Sequence, residues 1–179
     1  QWGNEFIKSI PFTHGVTLFF VLSGFLISRI LFSNRDNYLP NNKGRVQLIK
    51  SFYIRRSLRI FPVYYLLIIG LIVINYQNTR EIFPWLSTYT LNVYQYTHEM
   101  HVGNFNHFWS LAVEEQFYLF WPFVIIYIKP SRNLIAIAAV VSLSLLARFC
   151  LYYNNYHWMT TTYSTFSNLD ALGLGAMLA

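Results

Sequence analysis

The chain has 179 residues, 55% of them hydrophobic, 20% aromatic and only 11% charged. Ordinary soluble domains carry about 25% charge, so the composition argues against a typical water-soluble fold and for a membrane one. The net charge of +6 could suit nucleic acid, but eight of the thirteen Lys and Arg lie between Arg29 and Arg59, with Asp36 the one acid among them. That clustering is a membrane-topology signal, and no nucleic-acid partner is expected.

A bilayer-spanning helix needs roughly 20 mostly apolar residues, and four stretches approach that length. The first is Gly15–Phe32, with Arg29 near enough to its end to snorkel to the interface. The second is Phe61–Tyr76, where Pro62 suits a first helical turn because its missing N–H costs little there. The third is Phe108–Ile128 and the fourth Leu134–Tyr153, and a fifth begins near Leu169. The chain starts without methionine and stops inside the apolar run "LGLGAMLA". It therefore reads as a single internal fragment, residues 1–179, of a longer multi-pass protein. The expected fold is an all-α, polytopic membrane bundle of about four complete spans plus a truncated fifth. The competing soluble all-α bundle would have to bury these same runs against one another.

Lys and Arg orient the spans. The stretch from 33 to 58 is basic and polar, with the turn-rich centre "NRDNYLPNNKGR", and the positive-inside rule makes it a cytoplasmic loop. Alternation then places residues 77–106 outside and Lys129–Arg132 inside. "FPWLSTYTLNVYQY" in the outer segment reads as an interfacial or re-entrant piece; were it to cross the membrane, everything downstream would invert.

The third span carries the unusual chemistry, for Glu114 and Glu115 sit inside "HFWSLAVEEQFYLFWPF". Glu114 lies seven residues from His107, about 10 Å along a helix, or about a third of the way into a ~30 Å hydrocarbon core. The eleven Leu, Ile, Phe and Val from Phe108 to Ile128 contribute about 3–7 kcal/mol to insertion, against about 5–7 kcal/mol for two central carboxylates. Such a span needs partners or a polar cavity. Helical spacing puts His107, Ser110, Glu114, Phe117 or Tyr118, and Trp121 on one stripe, with Glu115 about 100° away. Glu114 is thus expected to face a polar cavity and Glu115 a neighbour or the interface. The plainer alternative for Glu114 is an ion pair with an arginine of another helix.

Two further groups stand out. In "YIRRSLRIFP", Arg56 and Arg59 are spaced i,i+3, so one helix face can offer two guanidinium forks to a phosphate. Anchoring to anionic lipid is the other reading. In "GVTLFFVLSGF", Ser23 and Gly24 lie mid-span, where small residues permit close helix packing and serine can bond across helices. "HEMH" at His98–His101 has its second histidine one residue too early for a zincin motif, and no metal site is expected. Neither Ser23 nor Ser110 has the context of a nucleophile elbow.

Taken in order, "GVTLFFVLSGFLISRILF", "FYIRRSLRIFPVYYLLI" and "HFWSLAVEEQFYLFWP" resemble the membrane acyltransferase-3 family, and the resemblance covers nearly the whole chain. Gly15, Phe19, Phe20, Ser23 and Gly24 match its G-x-x-x-F-F-x-x-S-G signature. Arg56 and Arg59 match its R-x-x-R, and Trp109, Ser110, Glu114 and Tyr118 match its W-S-L-x-x-E-x-x-x-Y helix. The resemblance implies a multi-pass O-acyltransferase of the cytoplasmic membrane. Such an enzyme moves an acyl, commonly acetyl, group from acyl-CoA to a hydroxyl of a carbohydrate or similar acceptor. Acyl-CoA is then a cosubstrate and no cofactor is bound. The implied roles are donor binding for Arg56 and Arg59 and a catalytic, cavity-organising role for Glu114. The family's general-base histidine belongs to a first helix not present in this sequence, and His14 is not its match, so the fragment alone is expected to be inactive. Family members often carry Arg where this chain has Asn168. The runner-up functions are a transporter or channel with Glu114 lining a solute or proton path, and a membrane scaffold.

Overall fold

The computed structural model describes residues 12–38 and 42–179, and the described residues contain helices, turns and no strand. The helices are α1 (Phe12–Tyr38), α2 (Asn42–Val73), α3 (Thr79–Ser87), α4 (Leu91–Thr97), α5 (Phe108–Tyr127), α6 (Asn133–Tyr153), α7 (Trp158–Tyr163) and α8 (Thr165–Met177). Three of them are long and apolar enough to cross a bilayer, over Gly15–Arg35, Gly44–Val73 and Pro130–Tyr153. With 20 residues, α5 reaches about 30 Å; its polar residues are what set it apart from the other three.

The inside and outside of this bundle differ from those of a soluble protein. On α1, Leu18, Leu22, Leu26 and Ile30 recur at steps of four and are all exposed. The opposite face, Phe20, Gly24, Ile27, Ser28, Leu31 and Arg35, is buried. Outward apolar side chains also cover α2 (Leu66, Ile69, Val73) and α6 (Leu143, Leu146, Phe149). Patches of that extent suit contact with lipid.

Two expectations about the basic region need correction. The stretch 33–58 is not a loop: α1 runs on to Tyr38 and α2 starts at Asn42. The Arg, Lys, Gln, Leu and Ile of "GRVQLIKSFYIRRSLRI" are good to moderate helix formers, and Leu48 and Phe52 on that stretch are buried in the main core. Pro62 accordingly sits inside the 32-residue α2 and not in its first turn. A proline is accommodated within a membrane helix because neighbouring groups re-satisfy the freed carbonyl. The helix ends at Val73, short of the expected Tyr76, and Asn75 takes a left-handed conformation with φ 48° just beyond it. The other bounds also shift: α8 starts at Thr165, four residues before the expected Leu169.

Between α2 and α5 the chain forms α3 and α4, of 9 and 7 residues. At ~1.5 Å per residue neither approaches the ~30 Å of a hydrocarbon core. Instead α3 docks on α2, where Tyr64 and Tyr65 donate to the Leu86 and Ser87 carbonyls, each at 2.8 Å, and α4 packs on α5 and α7. Tyr89, in the turn between α3 and α4, stacks on Tyr64 with centroids 4.4 Å apart.

Side-chain pairings give the helix directions. Phe20 meets Trp109, Ser28 meets Trp121 and Arg35 meets the Ile125 carbonyl, so α1 and α5 run the same way. Tyr53 meets Leu119, Arg56 meets Glu115 and Tyr64 meets Phe108, so α2 runs opposite to α5. One end of the bundle therefore gathers Arg35, Arg45, Lys50, Lys129 and Arg132. The other end holds α3, α4, α7 and the start of α5. The core forms two clusters that share α5, one around Phe117, Trp121 and Leu172, the other around Tyr64, Leu86 and Phe108.

Candidate functional site

Close helix packing sets the site's first dimension. A Cβ placed on Gly24 would lie 1.9 Å from the Leu172 carbonyl oxygen of α8, and one on Gly175 would lie 1.9 Å from the Val21 oxygen of α1. Only glycine allows the two backbones this approach. Gly24 is thus a packing residue, whereas Gly15 has nothing within 4 Å of such a Cβ. The same tight crossing holds the inner face of α1, with Phe20 and Ser23, against α5.

Glu114 is 3% exposed. Its carboxyl lies near the Ser23 and Tyr118 hydroxyls, and its Oε1 has no hydrogen-bond partner among the described residues. A buried carboxylate oxygen left open is costly, and of the two acids it is Glu115 that lines the neighbouring cavity. The arginine expected near Glu114 pairs with its neighbour: Arg56 Nη2 donates to Glu115 Oε1 at 3.1 Å. The guanidinium also lies over the Tyr118 ring, 3.2 Å from the centroid, a cation–π contact that fixes it from a second side. The ion-pair reading therefore applies to Glu115. Ser23, Glu114, Tyr118, Arg56 and Glu115 form one polar cluster inside an otherwise apolar wall.

Two cavities flank this cluster. One of about 200 Å³ is lined by Tyr53, Arg56, Tyr89, Glu115, Gln116 and Tyr118. Burial first, then the proximity of Tyr64 and Glu115, pushes the Tyr89 phenol above its ordinary range. It stays a neutral donor, and its hydroxyl has no partner among the described residues. The second cavity, about 370 Å³ and nearer the basic end, is lined by Asn34, Phe52, Arg55, Arg56 and Arg59. Arg55 and Arg59 are exposed, in contrast to Arg56. The expected pair of equivalent forks is thus split: Arg56 points inward to acid and aromatic partners, and Arg59 faces the open cavity.

The remaining sequence-derived residues fall outside the cluster or at its edge. Phe20 is buried and meets Trp109 edge-to-face at 5.8 Å, whereas Phe19 is 50% exposed and points away. Ser110 donates to the His107 carbonyl at 3.0 Å, one turn back on its own helix. Asn168 donates to the Thr162 and Ser164 carbonyls, both at 2.8 Å, and ties α7 to α8. His98 stacks on Tyr94 and His101 bonds Asn106. The His14 side chain lies outside the described residues.

Sequence reasoning missed a polar network that adjoins the first cavity through Gln116 and Tyr89. Gln116 donates to the Tyr89 carbonyl and to Asn92, and Asn92 donates to Thr165 and to the Tyr163 carbonyl, all within 3.1 Å. Gln95 donates to Asn106 at 2.6 Å. The available signal was the pair of amides Asn92 and Gln95 at helical spacing in a short aromatic stretch, which fits a buried face better than an outer loop.

A family profile described as an acyltransferase domain matches residues 2–179. A Listeria monocytogenes protein named a peptidoglycan O-acetyltransferase is 32% identical over 165 residues, covering 83% of this chain and 24% of that protein. A Bacillus subtilis protein provisionally given the same activity is 33% identical, covering 74% of this chain and 22% of the relative. A Staphylococcus aureus protein provisionally named an O-acetyltransferase is 30% identical over 92% of this chain and 29% of its own length. This chain therefore spans about a quarter of the length of these relatives. No solved structure matches it.

Proposed function

Because the chain belongs to the acyltransferase-3 family, matched from residue 2 to residue 179, we propose that it forms part of a membrane O-acyltransferase. The reaction moves an acetyl group from acetyl-CoA to a carbohydrate hydroxyl. The relatives' names, peptidoglycan O-acetyltransferase among them, support the acceptor class. The observation that carries the reading is the buried Glu114, one residue from the Glu115 carboxylate that pairs with a doubly held Arg56.

The positive-inside rule puts the Arg35, Arg45 and Lys50 end in the cytoplasm, where acyl-CoA is available. Exposed Arg59 and Arg55 meet the donor's phosphates there. Arg56, compensated by Glu115, contributes rigid N–H donors and little free charge. In the transfer, the acceptor oxygen attacks the thioester carbonyl and loses its proton to a base. A C–O bond forms, the C–S bond breaks, and CoA leaves as the thiol. Glu114 lies beside the Ser23 and Tyr118 hydroxyls, and its open oxygen takes a hydrogen bond from the incoming group. Pre-set dipoles of this kind are most effective in an interior that excludes water.

The test uses the full-length protein in proteoliposomes with acetyl-labelled acetyl-CoA and a carbohydrate acceptor. Label should appear on the acceptor with equivalent release of CoA, and Arg59→Ala should raise KM for acetyl-CoA without lowering Tm. Solute movement without thioester cleavage would replace this reading with a transporter lined by Glu114.

A further inference from the structure

At the end of the bundle remote from the basic helix ends lies a cavity of about 470 Å³, within the ~300–1,000 Å³ usual for small-ligand sites. Its wall draws on five helices and the turn before α5. Val16 and Thr17 come from α1, Asn106 and Trp109 from the start of α5 and its approach, Arg148 from α6, Trp158 and Tyr163 from α7, and Asn168 from α8. Residues so far apart in sequence converge only because α7 folds back over the start of α5.

The chemistry of this wall is specific. Trp109 and Tyr163 rings lie 5.0 Å apart, and Trp158 stands 6.1 Å from Tyr163. The three rings supply apolar faces beside amide and hydroxyl groups. The Tyr163 hydroxyl is fixed by His101 at 3.2 Å, and Asn106 lies within 3.4 Å of the same oxygen. Arg148 is paired with Asp170 at 3.0 Å and also donates to the Ser167 carbonyl, yet its side chain remains 46% exposed. Its charge is therefore largely compensated while spare N–H groups still face the cavity. A phosphate or carboxylate ligand would meet Asp170 as well as Arg148 and gain little. A neutral ligand with apolar ring faces and many hydroxyls would use every group present: C–H faces against the aromatic rings, hydroxyls toward Arg148, Asn106 and Asn168.

We infer that this cavity is a saccharide subsite that takes a neutral pyranose ring between Trp158 and Trp109. The inference deepens the acceptor half of the proposed transfer and rests on it. Trp109 lies five residues before Glu114, about 7.5 Å along α5. A sugar seated here thus approaches the polar cluster from the side opposite the arginine cavity, and donor and acceptor do not compete for one entrance.

The test is equilibrium binding of chitotetraose, a neutral pyranose oligomer, to the full-length protein in nanodiscs without donor. Trp158 is 53% exposed, so its truncation should leave Tm unchanged. Trp158→Ala should weaken binding about tenfold or more, the size expected when a central aromatic contact is lost. Trp158→Tyr, which keeps a ring face, should stay near wild type, and Asn168→Leu should weaken binding as well. Chitotetraose binding that is absent, or equal in wild type and folded Trp158→Ala, overturns the subsite. The two readings fail separately. Trp158-dependent binding without thioester cleavage keeps the subsite and removes acetyl transfer. Acetyl transfer with an unchanged acceptor KM in Trp158→Ala does the reverse.

Discussion

The α1–α8 crossing gives the most direct structural prediction, through Gly24→Ala. The added methyl carbon would sit 1.9 Å from the Leu172 oxygen and 2.8 Å from its carbonyl carbon, against ordinary contact distances of 3.4–4 Å. The obstruction is backbone, so no rotamer change relieves it; α1 and α8 must separate by about 1.5 Å. Overpacking of this kind costs about 1–3 kcal/mol. The displaced face carries Phe20, which packs on Trp109, and Ser23, which lies near Glu114, so activity should fall along with stability. Gly175→Ala strains the same crossing from the other helix and should not add fully to Gly24→Ala, because one separation relieves both. Gly70→Ala is the control: nothing lies within 4 Å of its Cβ, and alanine in a helix interior is favoured over glycine by about 0.5–1 kcal/mol. The assay is equilibrium unfolding of the full-length protein in mixed micelles, with transfer rate measured in parallel. Gly24→Ala as stable as Gly70→Ala would refute the crossing.

Three further outcomes follow from individual contacts. Arg56→Met should lower stability by about 3 kcal/mol because it strands a largely buried Glu115; adding Glu115→Gln should restore part of that loss in the same unfolding assay. Asn92→Ala removes donors to Tyr163 and Thr165 and leaves Gln116 short of an acceptor. It should cost about 1–3 kcal/mol and speed amide hydrogen exchange in α4 and α7. Trp121→Phe loses the 2.7 Å bond to Ser28 and should cost about 1 kcal/mol, with Ser28→Ala on the Trp121→Phe background adding almost nothing.

Much of this arrangement is written locally in the chain. Apolar runs of near-bilayer length mark α1, α5 and α6, whereas the stripe Ser110–Glu114–Tyr118 does not show that Glu115 is also largely buried and is the acid that lines the cavity beside Arg56. The small residues of "VLSGF" also signal the close crossing, although only the structure reveals that Gly24 meets α8 and Ser23 meets α5. Pro62 illustrates the limit of local rules. Proline favours helix starts, but here burial of Leu48 and Phe52 extends α2 through it. The partner of Arg56 lies 59 residues away, and the register of α2 against α5 gives it to Glu115. Nothing in "RRSLR" distinguishes Arg56 from Arg59. The aromatic cavity is likewise invisible in sequence, since Trp109 and Trp158 belong to separate elements that meet only after α7 folds back.

The acyl-transfer account turns on one interior carboxyl, that of Glu114. Its most direct test is kcat for acetyl transfer by full-length Glu114→Gln, which keeps the size of the side chain while replacing one carboxyl oxygen by an amide. The predicted result is a fall of about a hundredfold or more with unchanged Tm and unchanged KM for acetyl-CoA. A kcat within twofold of wild type would contradict the account.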